Sequence, residues 1–393
     1  MPSLLCSQAI ECVLAHKSAL LKFVSPNDAS KNSHQKGFYL PREAWRLFTP
    51  FAPTKHINND HEVHVHWPDG TITNSTVKWY GVGTRSEYRL TGFNRIAHFP
   101  YIDEAKIGSL LVLVPETTDK FFAHIIDADE DVEDIQAALG IEILEKWGAV
   151  YSSAAPQNSE TPDECLTRAF ADFALTLSQF PPTLCVAVAA RQALIACAKN
   201  FLAAPSDEKL RALVDAEYSL FKVIERKVWA ATISKQFSSV EAFVNAASSI
   251  VNTRKSRAGH SLEHHVEYLL SEAGIPFDRQ AIVGGGSKPD ILIPGARQYN
   301  DDAFPRDKVF FVALKRTCKD RWSQVLREAP RVNTKHILTM QEGLSESQIN
   351  QMTGDNVQLI VPQSLHHHYP SSKKSSLLNV ARFIDRVKSK LAY

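Results

Sequence analysis

Between Ser152 and Pro162 the chain reads SSAAPQNSETP, and the hydrophobic pattern on its two sides follows different periods. On the N-terminal side, HEVHVHWP, NSTVKWYG, EYRLTGF, SLLVLV and KFFAHII are β-type segments separated by turn residues. Helical stretches flank them at 3–23 and 130–147. This is the pattern of a small barrel or mixed β domain. On the C-terminal side, helical spacing dominates first, and then PDILIP, KVFFVAL, HILTM and VQLIVP alternate with helices as in an α/β domain. The small polar stretch between them contributes to neither core and has the composition of a linker. The organisation expected is therefore an N-terminal domain over 1–155, a linker region over 156–181 and a C-terminal domain over 182–393.

Local signals set the helices of the second half. Ser206 is placed to cap a long helix carrying Leu210, Leu213, Phe221, Ile224 and Val228 on one face. Ser238 and Glu241 form a capping box that opens another helix. HSLEHHVEYLLSEAG reads as a helix stopped by Gly274. A further helix is expected over 319–329, and SLLNVARFIDRVKSKL is a C-terminal one.

No apolar run reaches the ~20 residues of a membrane span. The N-terminus has neither the basic start nor the cleavage site of a signal peptide. The six cysteines show no CxxC spacing and read as reduced, buried thiols of a cytoplasmic protein. Net charge is only +1, which excludes a uniformly basic nucleic-acid binder. The halves differ, however. Residues 1–155 carry 14 Lys+Arg against 19 Asp+Glu, whereas 156–393 carry 30 against 24, so the second half suits a polyanion better.

The chemistry concentrates in ALKRTCKDRW, from Ala313 to Trp322. A buried strand that ends on Lys315 needs a partner for the ammonium, because an unpaired charge against a core is costly. Asp290 heads the preceding strand, and two adjacent strands bring such residues to one sheet edge. A carboxylate that holds a divalent cation, beside a lysine that orients water and offsets phosphate charge, is the core of a PD-(D/E)xK phosphodiesterase. The second carboxylate of that pattern belongs two residues before the lysine, on the same strand face. Ala313 stands there. Glu328 is the substitute: on a helix it shares a face with Arg321 and Val325 and points back to the strand edge. Glu263, on the preceding helix, supplies a further carboxylate. A divalent cation is the cofactor expected, on Asp290 and Glu328.

Lys319, Asp320 and Arg321 follow the lysine strand by one turn and face the same groove. Arg or Lys can bridge guanine O6 and N7, and Asp can accept from cytosine N4, so the trio is equipped for adjacent G·C pairs. Arg254, Lys255 and Arg257 lead into the Glu263 helix and are placed to hold phosphates. Other motifs have plainer explanations. His260, Glu263 and His264 spell the H-x-x-E-H of one zinc-hydrolase class, with no further glutamate ligand in a suitable context. His366, His367 and His368 read as an exposed polar loop, His64 and His66 as a solvated sheet face, and VGGGSK as a turn without phosphate-loop spacing. The acidic cluster from Asp127 to Asp134 reads as the solvated first turn of a helix.

NTRKSRAGHSLEHHVEYL, KPDILIP, ALKRTCKDRW, LTMQEG and VPQSLHHHYP resemble stretches of the EcoRII-like, type IIE restriction endonucleases, over residues 215–370. SHQKGFYLP and TRSEYRL extend a weaker likeness to the first half. The resemblance implies a Mg²⁺-dependent, dimeric PD-(D/E)xK nuclease domain that cuts before CCWGG. It also implies an N-terminal β-pseudobarrel that binds a second copy of the site on double-stranded DNA and restrains the nuclease. By position, Glu263, Asp290, Lys315 and Glu328 match the family's active-site groups, and Lys319, Asp320 and Arg321 its base-reading trio. His34, Tyr39, Arg85, Glu87 and Arg89 match contacts to effector DNA. Tyr218 matches an aromatic that stacks on an extruded central base. The chain departs from the family in having Gly83 two residues before Arg85, where a lysine is expected, and Val214 four residues before Tyr218, where an arginine is expected. The rival readings are a DNA-binding protein that has lost cleavage and the zinc hydrolase.

Overall fold

The computed structural model describes residues 2–29, 37–93, 96, 99–143, 147–150, 164–283 and 286–391. The chain forms two compact units, Met1–Asn158 with Glu342–Gln348 and His367–Ser372, and Ser159–Gln341 with Ile349–His366 and Lys373–Tyr393. Among the described residues, no helix is long and apolar enough to cross a membrane.

The first unit is built on an eight-stranded mixed sheet. Its elements are α1 (Leu4–His16), β1 (Ala19–Phe23), α2 (Pro26–Ala29), β2 (Phe38–Leu40), β3 (Asn59–His66), β4 (Ile72–Tyr80), β5 (Glu87–Thr91), β6 (Leu110–Pro115), β7 (Lys120–Ile126), α3 (Asp129–Leu139) and β8 (Trp147–Val150). Strand order is β2-β5-β4-β3-β7-β6-β1-β8. Neighbours are antiparallel except β3 and β7. Along β4, buried and more exposed residues alternate, the period of a half-buried strand. One core gathers Phe38, Phe48, Trp67, Trp79, Tyr88 and Phe121. The other sets Cys6, Ala9 and Val13 of α1 and Val132 and Ile135 of α3 against β1 and β6.

The expected helix over 3–23 is shorter than the sequence suggests. It ends at His16, Lys17 caps it in the left-handed region, and ALLKF forms β1. All five β1 residues are buried between β6 and β8. A strand buried on both faces has no alternation, so periodicity cannot separate it from a helix. The acidic cluster also differs from expectation. Asp129 and Asp134 are buried, and Asp127 accepts hydrogen bonds from Lys106 and Ser109.

In the second unit, α4 (Glu164–Leu175), α5 (Thr183–Cys197), α6 (Ser206–Ile233) and α7 (Val240–Glu272) pack around Phe170, Leu194, Leu213, Leu220, Phe221 and Ile224. Helix α4 lies within the stretch expected to link the domains, while Ser152–Pro162 falls outside the described residues. The structure joins Cys165 of α4 to Cys197 of α5 in a disulfide, correcting the expectation of reduced thiols throughout. The two helices expected between 238 and 274 are one, α7. Its N-cap is Ser239, whose Oγ accepts from Ala242 N at 3.2 Å, and Gly274 follows its end with a φ of 71°.

The second sheet has the order β13-β12-β11-β10-β9. It comprises β9 (Asp278–Arg279), β10 (Ile291–Ile293), β11 (Phe310–Lys315), β12 (Lys335–Thr339) and β13 (Val357–Ile360). Strand β11 is central. It pairs antiparallel with β10 and parallel with β12, and Phe310 to Leu314 are all buried. This explains its unbroken apolar run.

Candidate active site

The β10–β11 register aligns Ile291 with Val312, so Asp290, one residue before β10, sits beside the end of β11. Leu314 N donates to Asp290 Oδ2 at 2.8 Å, and Lys315 Nζ lies 3.4 Å from the same oxygen. The lysine partner expected from the sequence is therefore in place. Ala313 is fully buried, so the strand position that carries a second acid in the usual pattern is apolar here.

Glu263 and Glu328 complete the group by electrostatics. Burial raises the Glu263 carboxyl above the ordinary glutamate range. The Asp290 charge adds to this, with Lys315 among the groups opposing it. Burial likewise raises Glu328, with Lys315 opposing and Asp290 reinforcing. Glu263 of α7 and Glu328 of the turn before β12 thus both feel the charges of Asp290, just before β10, and Lys315 of β11.

The route by which Glu328 arrives differs from expectation. The segment Arg321–Arg327 is a 3-10 helix rather than an α-helix, and Glu328 is its extended C-cap. At three residues per turn, the i, i+4, i+7 face does not exist. The turn delivers Glu328 instead: its N–H donates to Val325 O at 3.1 Å, and Ala329 follows with a φ of 45°. Lys335 Nζ donates to the carbonyls of both Glu328 and Ala329, at 2.5 Å each. Lys335 is a residue that sequence reasoning missed. Its one signal was a lysine directly before the apolar HILTM.

Lys319 and Asp320 form the turn after β11, and Arg321 opens the 3-10 segment. Thr339 and Gln341, also not singled out, pin this stretch from the LTMQEG motif. Thr339 Oγ1 donates to Arg316 O at 3.1 Å, and Cys318 N donates to Gln341 Oε1 at 3.1 Å. The trio therefore sits on a loop tied to both central strands.

The basic residues of α7 divide. Lys255 is exposed, and Arg254 donates from Nε to Glu225 Oε1 at 2.5 Å. Arg257 lies in the interior instead of on the surface expected for a phosphate contact. It is 3% exposed, with Glu217 3.9 Å away and the Tyr218 and Phe221 rings beneath its guanidinium. Tyr218, half-buried on α6, is thus part of the same cluster. There Ser261 Oγ donates to Glu217 Oε2, and His265 Nε2 lies 2.6 Å from that oxygen. Val214 is buried in the α6 core, so this chain has an apolar contact where the resemblance expects a cation.

The H-x-x-E-H histidines are otherwise engaged. His264 Nε2 meets Thr183 Oγ1 at 3.0 Å, and His260 Nδ1 meets the Ser256 carbonyl at 2.7 Å. His366 is buried, with Nε2 2.8 Å from Val361 O, rather than exposed in a loop. Val283 N donates to Ser287 O at 2.9 Å, closing the turn expected before Asp290.

In the first unit, β2 and β5 place Tyr39 opposite Arg89. Arg89 Nε donates to Glu87 Oε1 at 3.1 Å, so these three residues share one face. Arg85 stands over the Tyr80 ring on the approach to β5. His34 lies outside the described residues. A buried pair missed by sequence reasoning anchors this edge. Asp28 accepts from Lys22 Nζ at 2.5 Å and from Tyr39 N at 2.7 Å.

Comparison with known proteins assigns the chain to a family. Residues 221–384 match the family described as EcoRII C terminal, and residues 15–152 match the N-terminal family of restriction endonuclease EcoRII. The type II restriction enzyme EcoRII of Escherichia coli is 34% identical over 385 residues, covering 93% of this chain and 92% of that enzyme. The type II restriction enzyme SsoII of Shigella sonnei is 30% identical over 124 residues, 29% of this chain and 40% of that enzyme. A solved complex of restriction endonuclease PspGI with substrate DNA aligns at a TM-score of 0.46 and 18% identity, over 54% of this chain and 93% of that one. With a relative this similar along nearly its whole length, the chain belongs to the EcoRII family of type II restriction enzymes, the site-specific endonucleases of DNA.

Proposed function

We propose that Glu263, Asp290, Lys315 and Glu328 form the active site of a Mg²⁺-dependent nuclease that cuts a CCWGG-like sequence. The observation that carries the reading is the Lys315–Asp290 contact at the end of a buried strand, 3.4 Å between Nζ and Oδ2. The donor set fits a hard cation. Asp290, Glu328 and Glu263 offer only carboxylate oxygens, and burial with the Asp290 charge raises the two glutamates. Among the described residues, no three metal-binding side chains converge into a finished cage. Magnesium does not need one, because it commonly takes one or two carboxylates and completes its shell with phosphate and water.

Asp290 and Glu328 would hold the ion, with Glu263 beside them. When bound, Mg²⁺ polarises the scissile phosphate and acidifies water. The hydrogen bond from Leu314 N to Asp290 Oδ2 would fix the orientation of the carboxylate that holds the ion. Lys315 Nζ donates to the attacking water and to the oxygens that gain charge as the phosphorus becomes five-coordinate. Lys319, Asp320 and Arg321 read G·C edges, and Lys255 and Arg254 approach the phosphates beside the cut. Tyr218 is placed to stack on an unpaired central base.

The protein acts as a homodimer on double-stranded DNA carrying two or more sites. Tyr39, Arg85, Glu87 and Arg89, with His34, contact effector DNA through the N-terminal domain. That domain restrains the nuclease until the effector site is bound. The charge asymmetry of the sequence supports this, since an acidic half competes with DNA for a basic one. The test is digestion of a plasmid of known sequence in Mg²⁺ and in EDTA, with the product ends mapped. Cuts confined to one short sequence, and only with Mg²⁺, are expected. Cutting in EDTA, or ends scattered over unrelated sequences, would overturn the reading.

A further inference from the structure

We propose that Lys335 is a positioning residue for Glu328, fixing from inside the sheet the backbone turn that presents the displaced carboxylate. The proposal rests on the reading of Glu328 as a cation ligand given above.

Lys335 opens β12 and is 5% exposed. A lysine ammonium is rarely so placed without compensation. Its compensation comes from two consecutive carbonyls, those of Glu328 and Ala329, both 2.5 Å from Nζ. Consecutive carbonyls of an extended chain point to opposite sides. Here the residue between the two peptide units, Ala329, has a φ of 45°, so the chain turns where the carbonyls share one donor. That conformation is unfavourable for alanine. Two charge-assisted hydrogen bonds hold it.

The anchor is itself immobile. Lys335 N donates to Asn356 O at 2.9 Å, and β12 is paired on both sides, with β11 and β13. The Phe311 ring packs 5.4 Å from Nζ. On its other side Glu328 is tied to Val325, a fully buried residue of the 3-10 segment. In the usual arrangement a strand fixes the second acid. Here Glu328 lies in a turn, and Lys335 supplies the rigidity that Ala313 cannot. Groups that orient a metal ligand commonly affect affinity as strongly as the ligand does.

The test uses full-length protein and Mn²⁺ alone, a hard cation whose free concentration is read by electron paramagnetic resonance. Four variants are compared with wild type: Glu328→Ala, Lys335→Met, Lys335→Gln and the double Glu328→Ala/Lys335→Met. Thermal midpoints are recorded alongside. Glu328→Ala is expected to weaken Mn²⁺ binding strongly, and Lys335→Met to weaken it ~10–100-fold. Lys335→Gln, which keeps two N–H donors on a chain one bond shorter, falls between Met and wild type. Added to Glu328→Ala, Lys335→Met changes nothing further, because it acts only through that carboxylate.

Wild-type affinity in Lys335→Met, with Glu328→Ala impaired, would overturn the positioning role and leave the active-site reading standing. An equal loss with and without Glu328 would overturn it too, making Lys335 a general support of the fold. Wild-type affinity in Glu328→Ala would remove the reading of Glu328, and this proposal with it. If Lys335→Met does not fold, Lys335→Gln and the double Glu328→Ala/Lys335→Gln decide on the same terms: a loss that needs Glu328 upholds the proposal, and no loss or an equal loss overturns it.

Discussion

The N–H of Leu314 donates to Oδ2 of Asp290 across 2.8 Å, next to the position where Ala313 replaces an acid. One carboxylate is thus locked to the strand, and the other must come from elsewhere. In the proposed site it comes from Glu328, in a turn rather than on the sheet. Charge repulsion within the cluster and the reach of the loop beyond it can both be measured.

Glu263 is held above the ordinary glutamate range by burial, with the Asp290 charge adding. A carboxyl raised in the folded state favours folding fully below its unfolded value and loses that contribution as pH rises through the folded one. Above that window its charge opposes folding. Metal-free Glu263→Gln is therefore expected to melt at a higher temperature than wild type at neutral pH. The advantage disappears in acid, and Mg²⁺ reverses the ranking by stabilising only the intact site. Scanning calorimetry in EDTA across pH checks this. A variant less stable than wild type at every pH would contradict it.

Arg321 opens the 3-10 segment on the loop pinned by Thr339 and Gln341. A good bidentate base contact is worth ~1–3 kcal/mol of discrimination. Arg321→Ala is expected to lose ~10–100-fold in specific binding while weak, salt-sensitive binding persists. Competition titrations with cognate and unrelated duplexes measure the ratio. An equal loss on both would make Arg321 a phosphate anchor.

The two halves carry opposite net charge, and Tyr39, Glu87 and Arg89 share one face of the N-terminal sheet. If effector DNA relieves restraint by that half, removal of residues 1–160 raises cleavage of single-site DNA. The intact enzyme then prefers two-site substrates. Single-turnover rates on matched plasmids decide. Equal rates for truncated and full-length protein would end the regulatory proposal without touching the nuclease assignment.

Much of this was legible in the sequence. Short β-type segments set between turn residues located β3 to β7, and the apolar runs around Asp290 and Lys315 located β10 and β11 as neighbours. What escaped has physical causes. Strand β1 is buried on both faces and shows no period of its own. The 3-10 character of Arg321–Arg327 leaves no periodic signal, and the carbonyls of Glu328 and Ala329 meet Lys335 only when β12 is in place. Arg257 looked like a surface cation because sequence does not reveal Glu217 waiting across α6. The same blindness hid the Lys22–Asp28 pair behind Tyr39.

In the proposed site a turn, not a strand, supplies the second acid. Cleavage by Glu328→Ala in Mg²⁺, on DNA that the variant still binds in EDTA, tests it most directly. Loss of one cation ligand is expected to cost at least ~100-fold in rate, with DNA affinity in EDTA unchanged. Cutting at close to the wild-type rate would contradict the account.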